Sequence, residues 1–142
     1  MTPQCAMTPK TILVVDDDAS VVEAVRKILG KYSYRVLNAA TAEQAIAVVK
    51  EQLLEIDLLL VDAVMPKMSG PELADILLFL RPHMKVIFIT GLDSLTIRLA
   101  FDRACECVQK PFTAQFLISK IQEALGEASL ETDGQIASAL DC

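Results

Sequence analysis

A chain of 142 residues, 53% of them hydrophobic, has the material for one domain with a substantial core. Its formal net charge of -6 and pI near 4.7 argue against sequence-independent nucleic-acid binding, which needs clustered Lys and Arg to displace counterions. No apolar run approaches the roughly 20 residues of a membrane span, and Met1-Thr2-Pro3-Gln4-Cys5-Ala6-Met7-Thr8-Pro9-Lys10 lacks the basic-then-apolar order of a signal peptide, so a cytoplasmic protein is expected.

Residues 1–9 hold two Met-Thr-Pro triplets and no hydrophobic period, and read as a loose arm. Thr11 to Val15 is a buried strand that runs into Asp16-Asp17-Asp18, with Asp18 placed to cap a helix. Val21, Val22, Val25, Ile28 and Leu29 recur at helical spacing and predict that first helix, ending near Gly30. Tyr34 to Ala39 is the second strand. Thr41-Ala42-Glu43-Gln44 matches a capping box, opening a helix to about Gln52 with Ala42, Ala45, Ile46, Val49 and Leu53 turned inward.

Leu58 to Val61 is an uninterrupted apolar run, too short for a helix, that ends in the single carboxylate of Asp62 and then meets Pro66 and Gly70. Gly70-Pro71 opens the third helix, with Leu73, Ile76, Leu77 and Leu80 apolar, and Arg81-Pro82 stops it. Val86 to Gly91 is the fourth strand, carrying Thr90 near its carboxyl end. A fourth helix over 94–104 buries Ile97, Ala100, Phe101 and Ala104, while Leu95 and Leu99 form a second stripe. That stripe is either ordinary packing or a homodimer contact through the face between the fourth and fifth helices. Glu106 to Gln109 is the fifth strand and delivers Lys110-Pro111-Phe112. Thr113 caps a fifth helix to about Leu125, closed by Gly126. Residues 127–142 read as a tail or linker. Cys5, Cys105, Cys107 and Cys142 contain no C-x-x-C pair, so neither a zinc site nor a disulfide framework is expected, and Cys107 reads as a small buried hydrophobe.

Strands alternating with helices predict an α/β fold, a flavodoxin-like doubly wound (βα)5 three-layer sandwich with a parallel five-stranded sheet in the order 2-1-3-4-5. In that topology Asp16, Asp17 and Asp62 meet at the carboxyl ends of adjacent strands, with Thr90 and Lys110 arriving from the next two. Carboxylates crowded together are relieved by a hard divalent cation with oxygen ligands, and Mg²⁺ is the expected occupant. Asp17 and Asp62 would supply ligands, Asp16 one directly or through water, and the backbone carbonyl of Val64 can turn inward. A carboxylate beside Mg²⁺, with a hydroxyl and an ammonium nearby, is equipped to accept a phosphoryl group as an acyl phosphate. The added charge would then bias the loop at Gly91-Leu92-Asp93-Ser94.

Four pieces in order, Ile12 to Asp18, Asp62 to Gly70, Thr90-Gly91 and Lys110-Pro111-Phe112, make the chain resemble the receiver domain of two-component response regulators over roughly Lys10 to Leu125, which sets the domain at 10–126. The resemblance implies Asp62 as phosphoacceptor, Asp16 and Asp17 as the acidic metal pair, Thr90 as the switch hydroxyl and Lys110 as the phosphate-contacting lysine. It implies a histidine kinase or phosphotransfer protein as donor and a further downstream protein as partner. Met68 to Ala74 and Gln109 to Thr113 are most similar to receivers of hybrid sensor histidine kinases.

The chain departs from the family pattern in two places. Cys107 stands where receivers carry an aromatic residue three positions before the lysine, which removes the aromatic-swing half of the switch. Val64 and Leu92, each two residues past a site residue, are apolar and cannot orient an attacking water, so a long-lived phosphorylated form is expected. Two other readings compete with the signalling one. A receiver-like module that is never phosphorylated would account for Cys107. A haloacid-dehalogenase-type phosphatase would use Asp16 and Asp18, but the acidic pair that such enzymes need after the lysine is lacking. His83, the only histidine, follows Pro82 in a loop, whereas a phosphodonor histidine belongs on an exposed helix.

Overall fold

The computed structural model describes residues 9–53, 55–91 and 106–127. In chain order these form β1 (Thr11–Val15), α1 (Ala19–Gly30), β2 (Arg35–Ala39), α2 (Ala42–Glu51), β3 (Leu58–Asp62), α3 (Gly70–Leu80), β4 (Lys85–Thr90), β5 (Cys107–Gln109) and α4 (Ala114–Leu125). The helix expected over 94–104, and with it Leu92, Leu95 and Leu99, lies outside the described residues, as do 1–8 and 128–142. The α4 element is the helix expected after the fifth strand.

All five strands are parallel and stand in the order β2-β1-β3-β4-β5, the flavodoxin-like doubly wound arrangement. Every residue of β1 and β3 is buried, which explains why both read as continuous apolar runs rather than alternating ones: a central parallel strand is covered on both faces. Side-chain alternation sorts the core into two halves. Leu13, Val15, Leu59 and Val61 face one way, with Ala45 and Val49 of α2 and Leu73 and Leu77 of α3. Ile12, Val14, Leu58 and Leu60 face the other, with Val25 and Leu29 of α1 and Leu117 and Ile121 of α4. The result is three layers.

Each described helix begins with a side chain that accepts from an otherwise orphaned backbone N–H. Asp18 accepts from Ser20, Thr41 from Gln44 and Thr113 from Phe116. Ser69 and Glu72 form a reciprocal capping box on α3. On α2 the box is displaced: Gln44 Oε1 accepts from Ala40 N at 2.8 Å, one residue earlier than the motif anticipates. Gly126, at φ +74°, closes α4 in the left-handed conformation open to glycine.

Two side chains depart from the inward stripes. Leu53 is 96% exposed, because α2 stops at Glu51 and Gln52 is already extended, so the helical period that would carry Leu53 inward is broken. Ile76 is also exposed: the buried stripe of α3 is centred on Leu73, Leu77 and Ala74, which turns Ile76 to its rim. Glu127 is tied to the domain rather than released into a tail, with its N–H donating to Gln122 O at 2.8 Å and its carboxylate accepting from Tyr34 Oη at 2.7 Å.

Candidate functional site

Parallel strands end together, so the residues that follow β1, β3, β4 and β5 share one edge of the sheet. Register aligns Val15 of β1 with Val61 of β3 and Asp62 with Ile89 of β4. Asp16, one residue past β1, is held to β2 through its N–H to Ala39 O at 3.2 Å. Lys110, one residue past β5, is held to β4 through its N–H to Thr90 O at 2.7 Å.

This backbone frame brings Asp16, Asp17 and Asp62 close enough that one carboxylate oxygen from each lies within 4.8 Å of the others. Lys110 reaches across from the far side. Its Nζ lies 3.2 Å from Asp16 Oδ2 and 3.3 Å from Asp62 Oδ2. The opposite oxygens are engaged by the main chain: Asp18 N–H donates to Asp16 Oδ1 at 2.9 Å, and Val64 N–H donates to Asp62 Oδ1 at 3.0 Å. Asp16, Asp62 and Thr90 are buried, whereas Asp17 is exposed. Two carboxylates are therefore fixed and one faces solvent. Asp18, as expected, caps α1, its carboxyl held below the usual range by hydrogen bonds from the Ser20 side chain and backbone.

Charge in the site is poorly balanced. Burial pushes the Asp16 carboxyl up and the Asp62 charge adds to the effect, against lowering by the Asp18 N–H and Lys110. Burial alone would lower the Lys110 ammonium, but attraction to Asp16 and Asp62 outweighs it and holds the group above its ordinary value. Among the described residues, one ammonium thus serves a cluster of three carboxylates. An all-oxygen donor set with surplus negative charge suits a hard divalent cation such as Mg²⁺ and not a soft metal, which would call for thiolate or imidazole. The residues present fit such an ion.

Gly70 is a positioning residue that periodicity did not single out. It opens α3 against the main chain that leaves β3, with its N–H donating to Ala63 O at 2.9 Å. A Cβ at this position would lie 2.8 Å from Ala63 Cα and collide with Asp62 O. The sequence signal is a glycine at the first residue of a helix, where Pro is favoured and glycine is a poor helix former. Of the remaining expectations, Val64 is half exposed beside Asp62, while Cys107 is half-buried, packed against the α2–α3 half of the core.

A family model for the response regulator receiver domain matches residues 12–122, and the chain belongs to that family of two-component signalling domains. Among curated proteins it is 32% identical over 118 residues to the response regulator receiver protein CpdR of Brucella abortus (strain 2308), covering 82% of this chain and 97% of that one. It is 32% identical over 117 residues to the sensor kinase CckA of the same organism, of which it spans 12%, and 34% identical to the transcriptional regulatory protein YvrH of Bacillus subtilis (strain 168), of which it spans 50%. Among solved structures, a CheY-like response regulator receiver domain protein from Methanospirillum hungatei JF-1 superposes with a TM-score of 0.74 at 34% identity, covering 84% of this chain and 95% of that one. The receiver domain of the hybrid histidine kinase CckA superposes with a TM-score of 0.69 at 28% identity, covering 81% and 98%.

Proposed function

We propose that Asp62 is a phosphoacceptor. A carboxylate oxygen of Asp62 attacks phosphorus as the P–N bond to a phosphohistidine of a histidine kinase or phosphotransfer protein breaks, leaving an aspartyl phosphate here, while the donor ring, protonated on its other nitrogen, departs as neutral imidazole. Asp16, Asp17, Asp62 and the Val64 carbonyl would hold Mg²⁺, which supplies neutralisation of phosphoryl oxygens. Lys110, already seated between Asp16 and Asp62, turns its ammonium to the incoming oxygens, and the Thr90 hydroxyl donates to one of them afterwards. The observation that carries this reading is the Lys110 ammonium 3.2 Å and 3.3 Å from two carboxylates at the strand tips, inside the family-matched region.

In this reading residues 10–126, with Glu127 tied to them by its bonds to Tyr34 and Gln122, are the working unit of a signalling domain rather than a metabolic enzyme, acting in the cytoplasm. A downstream protein reads the altered surface. Cys107 carries no ring to swing, so the signal runs through Thr90. Val64, 55% exposed and apolar, offers an attacking water no hydrogen bond, and the aspartyl phosphate is long-lived; a self-hydrolysis half-life of seconds would remove this part of the reading.

The deciding experiment is phosphotransfer from a labelled phosphohistidine donor in Mg²⁺, together with trapping by beryllofluoride. Wild type takes label and binds the trap only with Mg²⁺, and Asp62→Asn does neither. Label retained by Asp62→Asn would overturn the assignment. A chain that neither takes label nor binds the trap would instead be the unphosphorylated interaction module that Cys107 favours.

A further inference from the structure

The C-terminal halves of α2 and α3 form a side wall away from the strand tips, and this wall carries the most exposed aromatic side chain among the described residues. Phe79 is 86% exposed and Ile76 beside it is 37% exposed. With Ile46 and Leu80 they line a surface groove of about 530 Å³, bordered by Lys50 of α2 and Asp75 of α3. The groove is pre-formed. Arg81 Nη2, just past α3, donates to Val49 O at 3.0 Å and Gln52 O at 2.6 Å, pinning the two helix ends together, so little ordering is needed before the groove is filled.

We propose that this face seats a second copy of the chain in a twofold contact, with the Phe79 ring of each copy in the groove of the other. A twofold contact uses one patch twice, so that patch must carry a knob, a hole and charges of both signs. Phe79 is the knob, the Ile46–Ile76 groove is the hole, and Lys50 and Asp75 supply one charge of each sign. Where Lys50 of one copy meets Asp75 of the other, the same symmetry repeats the pair in the second half. Asp75 has an interaction within its own chain, and a carboxylate accepts from more than one donor. A strongly basic partner would be met by an acidic patch, which a chain of net charge -6 could readily present. The residues that line the groove carry one charge of each sign instead. The patch is also small beside the 20–30 residues a side of a standard interface, so the dimer is weak, dissociating in the micromolar range or above.

Sedimentation velocity on the full chain from about 5 to about 500 µM, a range set by that small contact, tests the proposal. The weight-average mass of wild type rises with concentration toward twice the 15.5 kDa of one chain. Phe79→Asp, at a position too exposed to disturb folding, weakens association at least about tenfold. Lys50→Glu weakens it by setting acid against acid, and Asp75→Lys by setting base against base. Mixing these two variants restores opposite charges in both halves and recovers association. Three results would each overturn the proposal: wild type monomeric throughout, Phe79→Asp associating as tightly as wild type, or a mixture no tighter than either single charge variant.

Discussion

Lys110 and Gly70 act on Asp62 by different means, one through charge and the other through space. Among the described residues Lys110 is the one cation bonded to the clustered carboxylates, and its side chain is only 26% exposed. Replacing it by Met leaves the cluster uncompensated, so Lys110→Met should lose about 1–3 kcal/mol of stability in metal-free buffer. Added Mg²⁺ should recover most of that loss, as thermal melts with and without the ion would read. Asp16→Asn should do the opposite: burial disfavours the Asp16 charge, so the amide raises the metal-free melting temperature while weakening Mg²⁺ binding. Gly70→Ala drives a methyl into the Asp62–Ala63 main chain and should cost about 1–3 kcal/mol, together with slower phosphorylation. Gly30→Ala is its control. Nothing lies within 4 Å of a Cβ there, and the helical residue should gain about 0.5–1 kcal/mol.

At the scale of elements, end-to-end contacts between helices do work that propensity does not describe. Arg81 supplies α2 with a C-terminal cap from another helix, its guanidinium reaching Val49 O and Gln52 O. Arg81→Ala should cost about 1–2 kcal/mol and speed amide exchange in the last turn of α2 while that of α1 is unchanged. Helix starts were legible in the sequence because a cap is a local contact: Asp18, Thr41 and Thr113 each accept from a backbone N–H two or three residues on. Strands β1 and β3 were legible for a different reason, since burial on both faces leaves only apolar residues from Ile12 to Val15 and from Leu58 to Val61, before the sheet edge at Asp16 and Asp62. The orientation of Ile76 and Leu53 was not legible. One depends on where the neighbouring helix lies, the other on the residue at which α2 ends.

Across the whole molecule, Tyr34 at the entry to β2 and Glu127 after α4 join chain segments 93 residues apart. Burial, followed by the hydrogen bond to Glu127 and its charge, pushes the Tyr34 phenol far above its ordinary value of 10.0. A raised pKa on an acid favours the protonated form in the folded state, so this contact contributes fully below pH 10 and is lost as pH rises beyond it. Of the two tyrosines, one should therefore resist ionisation in a native spectrophotometric titration, and Tyr34→Phe should abolish the late phase and lower stability by about 0.5–1.5 kcal/mol. The amino-acid sequence by itself determined the strands, the starts of the described helices, the parallel sheet order and the residues at the strand tips, because apolar runs, caps and right-handed crossovers are local or general constraints. Only the tertiary structure decided that Lys110 stands between Asp16 and Asp62, that Gly70 lies against Asp62, that Arg81 closes α2 and that Phe79 is left in water. Each of these depends on distances between segments far apart in the chain, which strand twist and helix packing set and no stretch of sequence records.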